Sequence, residues 1–320
     1  MMDLRRLVAL VAVSEHGSFS AAADALHTVQ SNISAHIGRL ERELGCQLVD
    51  RAGCRLTEEG QIVVERARRA LAELDAIVTD LAALRDDVRG SVRVGIISST
   101  ARWLTPLLLR AMRERHPNVS VVVVDASTTS LAPQVVAGTL DLAVVNVPVD
   151  EPDLVFEPLF DEQFVLVTPE DHPLGRRKHL DLGDLDGVEL LLPPPGTAFR
   201  ADIDAATARA GVTLRALAEL DGVRLTASLV LQGYGAAILP ASAVSSWRPG
   251  GWHAVPLGGM PPRRVTVARR RRGLPSAPTR ALLAVLRDVV TTGAAGQPGI
   301  TSVVEGATEP TSRREPPSGR

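Results

Sequence analysis

The chain has 320 residues, 45% of them apolar and 3% aromatic, with 35 Lys plus Arg against 37 Asp plus Glu for a formal net charge of −2. That length suggests about two domains of roughly 150 residues rather than one globule, and bulk charge gives a polyanion partner no support, since residues 1–90 hold 11 Arg against 14 acids. The two cysteines, Cys46 and Cys54, are too few for a disulfide framework and fit a reducing compartment.

MMDLRRLVALVAVSEHG opens the chain with two arginines before an apolar stretch, a faint imitation of a secretory signal. Leu4, Leu7, Val8 and Val11 nevertheless repeat at helical spacing, and Ser14, Glu15 and His16 follow with no small-residue cleavage site, so the segment reads as an amphipathic helix. No apolar run approaches the roughly 20 residues of a membrane span, and the expectation is a cytoplasmic protein without a membrane partner. Short helices are predicted over 4–15, 18–26 and 29–44, with Ser18 and Thr28 as N-caps and Gly45 as the C-terminal stop. In the third, Ile33, Ile37, Leu40 and Leu44 form the buried stripe, and the polar first turn faces outward. CQLVDRAGCRLT then alternates apolar and polar residues around Ala52-Gly53, the pattern of a small hairpin.

From residue 58 to about 86 the pattern is one helix, about 44 Å long at roughly 1.5 Å per residue. Val63, Ala67, Ala70, Leu74, Ile77, Leu81 and Leu84 are spaced by alternating fours and threes, a heptad seam. The small N-terminal domain cannot bury so long a seam, which assigns it to a homodimer, with packing on the downstream domain as the alternative.

Gly90 opens an α/β region. SVRVGIIS, VSVVVVDA and DLAVVNV are β-branched runs separated by helical patterns at 101–115 and 131–138, which implies right-handed βαβ units on a parallel sheet. A second alternating set, from FVLVTP to AAILPASAV, predicts a second lobe. Residues 293–320, rich in Gly, Pro, Ser, Thr and charges, are expected to form a disordered tail.

A short helix, a turn and a helix with a polar start make a helix-turn-helix, whose second helix enters the DNA major groove. The stretch GSFSAAADALHTVQSNISAHIGRLERELGCQLVDR resembles the N-terminal signature of LysR-type transcriptional regulators. AGTLDLAVV, EDHPL, LLPPPGTAFR and QGYGAAILPASAV are further pieces similar to that family, and the resemblance covers nearly everything but the tail. It implies a winged helix-turn-helix over 1–57, a linker helix over 58–89 and a two-lobed effector domain over 90–292. The fold class is thus α/β overall, with an all-α N-terminal domain and a periplasmic-binding-protein-like module. Its first lobe covers about 91–160 plus 266–292, the second about 161–265, and two crossing strands form the hinge.

By the same resemblance Gln30, Ser31 and Ser34 meet base edges, with Gln30 able to bond bidentately to adenine. Arg39 and Arg42, one or two turns later, reach phosphates or solvent, and Arg51 and Arg55 in the hairpin are the candidates for backbone or minor-groove contact, with local packing the alternative for Arg51. Ala35 and Gly38 stand where the family often carries long polar residues, which shifts weight to shape readout and the wing. In the effector domain Ser98, Ser99 and Thr100 follow a strand and precede a helix, a place where hydroxyls and free N–H groups suit an anion such as a carboxylate; the alternative is that they only cap that helix. Facing them are expected Thr128 and Thr129, with Thr197, Phe199 and Tyr234 from the second lobe. The family often forms tetramers; the residues themselves support a dimer.

RRVTVARRRR (263–272) reads as a strand with a solvated basic face rather than a nucleic-acid patch, and a redox-sensing role for the cysteines is set aside because both lie in the DNA-binding part. With no phosphate-cradling loop, nucleophile elbow or Cys/His cluster in the sequence, no catalytic residue, metal or cofactor is assigned. A solute-binding protein is the rival reading, but it leaves the first 57 residues without a role.

Overall fold

A computed structural model describes residues 3–50, 52–84, 87–244 and 250–304. Helices Leu4–His16 (α1), Phe19–Ala25 (α2) and Gln30–Leu44 (α3) precede a hairpin of Val49–Asp50 (β1) and Arg55–Leu56 (β2), the wing. Local chemistry sets most of these ends. The Asp3 carboxylate accepts from Arg5 N, the Ser18 hydroxyl accepts from Ala21 N at 3.1 Å, and Gly17 and Gly45 close α1 and α3 in the left-handed region. Thr28 does not cap: Val29 holds the N-cap position without a side-chain bond, and Thr28 Oγ1 accepts from Asn32 Nδ2 instead. Ile33, Ile37 and Leu40 are buried, whereas Leu44 is 36% exposed, because the core beneath the end of α3 is closed by Leu48 and Val49. Glu41 on α3 holds the wing in place, its Oε1 accepting from Leu48 N at 2.9 Å.

Glu58–Ala83 (α4) is capped by the Thr57 hydroxyl, which accepts from Gly60 N at 3.0 Å. A side chain at Gly60 would meet the Leu48 carbonyl oxygen at 2.0 Å, so only glycine lets the helix start this close to the wing backbone. The heptad seam divides along the helix. Val63 and Ala67 pack into the N-terminal core, while Ala70, Leu74, Ile77, Leu81 and Leu84 are exposed, with Val78 beside them.

The remaining elements are Gly90–Ile97 (β3), Ser98–Arg115 (α5), Val119–Ala126 (β4), Thr128–Ala137 (α6), Leu142–Asn146 (β5), Leu154–Glu162 (β6), Phe164–Pro169 (β7), Leu180–Asp181 (β8), Glu189–Leu192 (β9), Ala198–Ala210 (α7), Arg215–Glu219 (β10), Val223–Leu231 (α8), Ala237–Pro240 (β11), Trp252–Gly258 (β12), Arg263–Arg270 (β13), Ala277–Ala294 (α9) and Ile300–Ser302 (β14). The chain divides into two compact units. The first holds the N-terminal domain, α4, Leu109–Glu157 and Val267–Val285; the second holds Ser98–Leu108, Pro158–Thr266 and the chain from Leu286 onward. Strands β6 and β13 run from one unit into the other.

In the first unit β3 pairs in parallel with β4 along its length and with β5, with β13 next to β5. Helix α6 packs hard on this sheet, since a Cβ at Gly95 would come within 2.7 Å of Leu131 Cδ2. In the second unit the strand order is β11-β7-β12-β8, and β9 pairs in parallel with β10. Leu166, Leu190, Ile203, Ile238 and Val255 centre its core.

Two expectations are corrected here. Order extends beyond residue 293: α9 runs to Ala294 and β14 pairs antiparallel with β6, while 305–320 lie outside the described residues. The arginines of β13 are only partly a solvated face: Arg264 is exposed, yet they are held by partners of their own chain. Arg264 and Arg269 bond the carboxylates of Asp161 and Glu157 at 2.8 and 2.7 Å, and Arg270 donates to the Val135 and Leu140 carbonyls. Val265 through Ala268 are consecutively buried, so both faces of the strand are covered and no alternation results.

Candidate DNA-reading surface and effector pocket

On α3 the apolar stripe fixes which residues look outward. Gln30, Ser31, Asn32, Ala35 and Arg39 are exposed and Ser34 is half-buried, so the polar residues expected at the base edges share one accessible helix start. Val29 offers no side-chain cap to the first turn of α3, whose Asn32 N donates to Val29 O at 3.0 Å. The Ser20 hydroxyl of α2 donates to Gln30 Oε1 at 3.3 Å, tying the exposed amide to the preceding helix. Between α2 and α3, His27 carries a positive φ of 51°, a conformation histidine tolerates better than most residues. Arg42 donates to its own helix at Gly38 O. Arg55 is exposed on β2, and Arg51 lies outside the described residues. Asn32 and Ser20 were not expected at this surface, although the four-residue spacing of Asn32 from Thr28 was visible.

The second unit contains a pocket lined by Ser98 and Arg102 of α5, by Val223, Arg224, Ala227, Ser228 and Leu231 of α8, and by Ala243. Of the three hydroxyls expected there, only Ser98 lines it. The Ser99 hydroxyl accepts from an Arg263 amino group at 2.7 Å, and Thr100 is fully buried. Arg263 is itself held by the buried Glu162, which accepts from Arg263 Nε at 2.8 Å and from Ser242 N at 3.0 Å. All three residues belong to the first turn of α5, which starts three residues earlier than the sequence pattern indicates.

The other expected contacts have other duties. Thr197 caps α7, accepting from Arg200 N at 3.3 Å and donating to Pro194 O at 2.9 Å. Phe199 stacks on Phe164 with ring centroids 5.6 Å apart and joins the core, and Tyr234 is 64% exposed. In the first unit Thr128 Oγ1 donates to Asn146 Oδ1 at 2.7 Å, and exposed Thr129 bonds the Ser127 hydroxyl; both threonines lie in the first turn of α6. Arg102 and Arg224 are the pocket residues the sequence reading missed. Arg102 was legible, since a position four residues after Ser98 shares its helix face.

An outward polar helix start beside a hairpin wing, a long helix with an exposed apolar stripe, and α/β units with a polar pocket define a DNA-binding regulator that carries a ligand-receiving module. Residues 4–61 match the model of the bacterial regulatory helix-turn-helix proteins of the lysR family, and residues 85–291 match the LysR substrate binding domain. The chain is 35% identical over 299 residues to a probable hydrogen peroxide-inducible genes activator of Streptomyces viridosporus, covering 90% of this chain and 94% of that protein. Among solved structures it resembles a full-length OxyR variant from Pseudomonas aeruginosa, at 27% identity and a TM-score of 0.75 with 94% and 98% of the two chains covered. It also resembles full-length CbnR in complex with its target DNA, at 26% identity and a TM-score of 0.66 with 92% and 100% covered. The chain belongs to the LysR family of DNA-binding transcriptional regulators. Among the described residues no helix is long and apolar enough to cross a membrane.

Proposed function

We propose that two copies join along the exposed stretch of α4 and set their α3 helices in major grooves about one DNA turn apart, reading an inverted repeat. Gln30, Ser31 and Ser34 meet base edges, and Arg39, Arg51 and Arg55 meet phosphates. The observation that carries this reading is the accessible polar start of α3, without a side-chain cap and backed by the buried Ile33, Ile37 and Leu40. Local charge matters more than the acidic sum of the domain, because affinity depends on cations placed at phosphates. Three such arginines from each of two copies give a log–log salt slope of about −5. A gel shift on the fragment upstream of the protein's own gene tests the reading: a shift at moderate salt that outlasts competitor DNA supports it, and an unshifted fragment defeats it.

For the effector we infer a small anion, such as a carboxylate, met by Ser98, Ser228 and the guanidinium groups of Arg102 and Arg224, which line one pocket of the second unit. Relatives are named for induction by hydrogen peroxide, and the side-chain chemistry that peroxide addresses most readily is thiolate oxidation. Both cysteines of this chain precede residue 58, so residues 85–291 hold no thiol to oxidise, and reversible ligand binding is our reading for that region. A thermal-shift screen of small carboxylates should find ligands that raise the melting temperature of the wild type and not of Arg224→Ala. Equal shifts in both would remove the arginine from the site.

A further inference from the structure

We infer that Asn32 is a further base-reading residue of this chain, one that selects adenine, with Thr28 as the residue that positions it. The inference rests on the reading of α3 as the helix that meets base edges. Asn32, Ala35 and Arg39 are all exposed, and spacings of three and four residues place them on one strip along α3. The strip carries an amide at its start, a methyl group in its middle and a guanidinium about 10 Å further on, at roughly 1.5 Å per residue. Asparagine is one methylene shorter than glutamine, so it reaches a base edge only where the helix backbone comes close. Ala35 permits that approach, and Gly38, three residues later, adds no side chain to hold the duplex away.

The hydrogen bonds already made decide what is left over. A primary amide has two N–H donors and a carbonyl acceptor. One Asn32 Nδ2 donor goes to Thr28 Oγ1 at 3.0 Å, four residues back. The other donor and Oδ1 make no bond among the described residues, and together they match adenine N7 and N6 in the major groove. Gln30 differs, because its Oε1 already accepts from the Ser20 hydroxyl at 3.3 Å. Thr28 is the second part of the device. Threonine at the entrance to a helix ordinarily accepts from a first-turn N–H. Here Val29 holds the N-cap position, and the Thr28 hydroxyl accepts from the Asn32 side chain instead. A stabilising use of the hydroxyl is given up for one that orients an exposed side chain, the kind of departure from local stability that marks a working surface. Holding the amide before DNA arrives also lowers the rotamer freedom lost on binding.

Base-selectivity measurements on the full chain test this. Affinity is measured for a labelled genomic fragment bound in the gel shift above, for copies with each base pair of its half-sites replaced in turn, and for an unrelated duplex. Wild type, Asn32→Ala, Thr28→Val and Thr28→Ser are compared. The expected result is an adenine in each half-site whose replacement weakens wild type about fivefold or more and Asn32→Ala less than about twofold. Putting 7-deazaadenine there, which lacks the N7 acceptor and keeps its pairing, should give the same contrast. Thr28→Val should lose most of this selectivity and Thr28→Ser should keep it, while all four proteins bind the unrelated duplex within about twofold of one another. A merely structural role for Asn32 would weaken both kinds of duplex alike and leave selectivity at every position unchanged, which overturns the assignment. Selectivity in Thr28→Val equal to that of wild type overturns the positioning role. A wild type indifferent to every base replacement overturns the DNA reading itself, and this inference with it.

Discussion

Gly60 shows how a single missing side chain positions the DNA-reading domain. Alanine fits its backbone conformation, but the added carbon would sit 2.0 Å from the Leu48 carbonyl oxygen, a backbone atom that cannot rotate away. Gly60→Ala should therefore cost about 1–3 kcal/mol, the usual penalty of forced overpacking, read as a lower melting temperature of the full chain. An unchanged melt would mean that the wing shifts freely. Asp141 makes a second residue-scale test. Burial raises its pKa above the ordinary 3.8, opposed by the bond its Oδ2 accepts from Arg93 N and by the charges of Arg270 and Arg93. A pKa raised on folding gives stability that is complete below the unfolded value and is lost as pH rises through the folded one. Asp141→Asn keeps an acceptor for Arg93 N and removes that loss, so variant and wild type should diverge as pH rises above about 4 in urea unfolding series; parallel curves would contradict the assignment. Asp161 has the opposite sign. Its pKa is lowered by the hydrogen bond from Arg264, so its contribution is present above the ordinary value and fades as pH falls.

At the scale of elements, α4 is the part whose surface most needs a partner. Ile77 is 56% exposed and Leu81 60%, on a helix whose residues Val64, Ala67 and Ala82 are buried. Replacing both Ile77 and Leu81 by Asp should leave the monomer folded by circular dichroism, lower the mass seen by light scattering to that of one chain, and weaken DNA binding at least tenfold because paired half-sites are lost. Retained dimer mass would place the interface elsewhere. Local signals made this element readable in advance: Thr57, the heptad spacing and Gly90 are all short-range marks. Its division was not readable, because whether Val63 and Ala67 face a partner or their own core depends on where α1 and the wing fall in space. The same limit applies to β13. Its arginines look solvated in sequence, and the acids that meet them, Glu157, Asp161 and Glu162, lie more than a hundred residues earlier. Helix starts at Ser98 and Thr128 were read three residues late, since neither is preceded by a residue that caps through its side chain.

For the molecule as a whole, the order of parts followed from punctuation and periodicity, and the polar face of α3 from its apolar stripe. The candidate effector pocket followed less well: Arg224 joins Ser98 in its lining only through the fold, more than 120 residues along the chain. What unites the parts is the claim that α3 reads base sequence in duplex DNA and that Gln30, steadied by Ser20, is one of its readers. Losing one good base contact costs about 1–3 kcal/mol of discrimination, and it should spare random DNA, where only phosphate contacts act. The most direct measurement is genome-wide mapping of bound DNA for wild type and Gln30→Ala expressed at equal levels. Discrete wild-type sites carrying a two-fold motif with half-sites about one turn apart, weakened in the variant against an unchanged background, are the predicted result. Uniform occupancy without any motif, or maps identical for the two proteins, would contradict it.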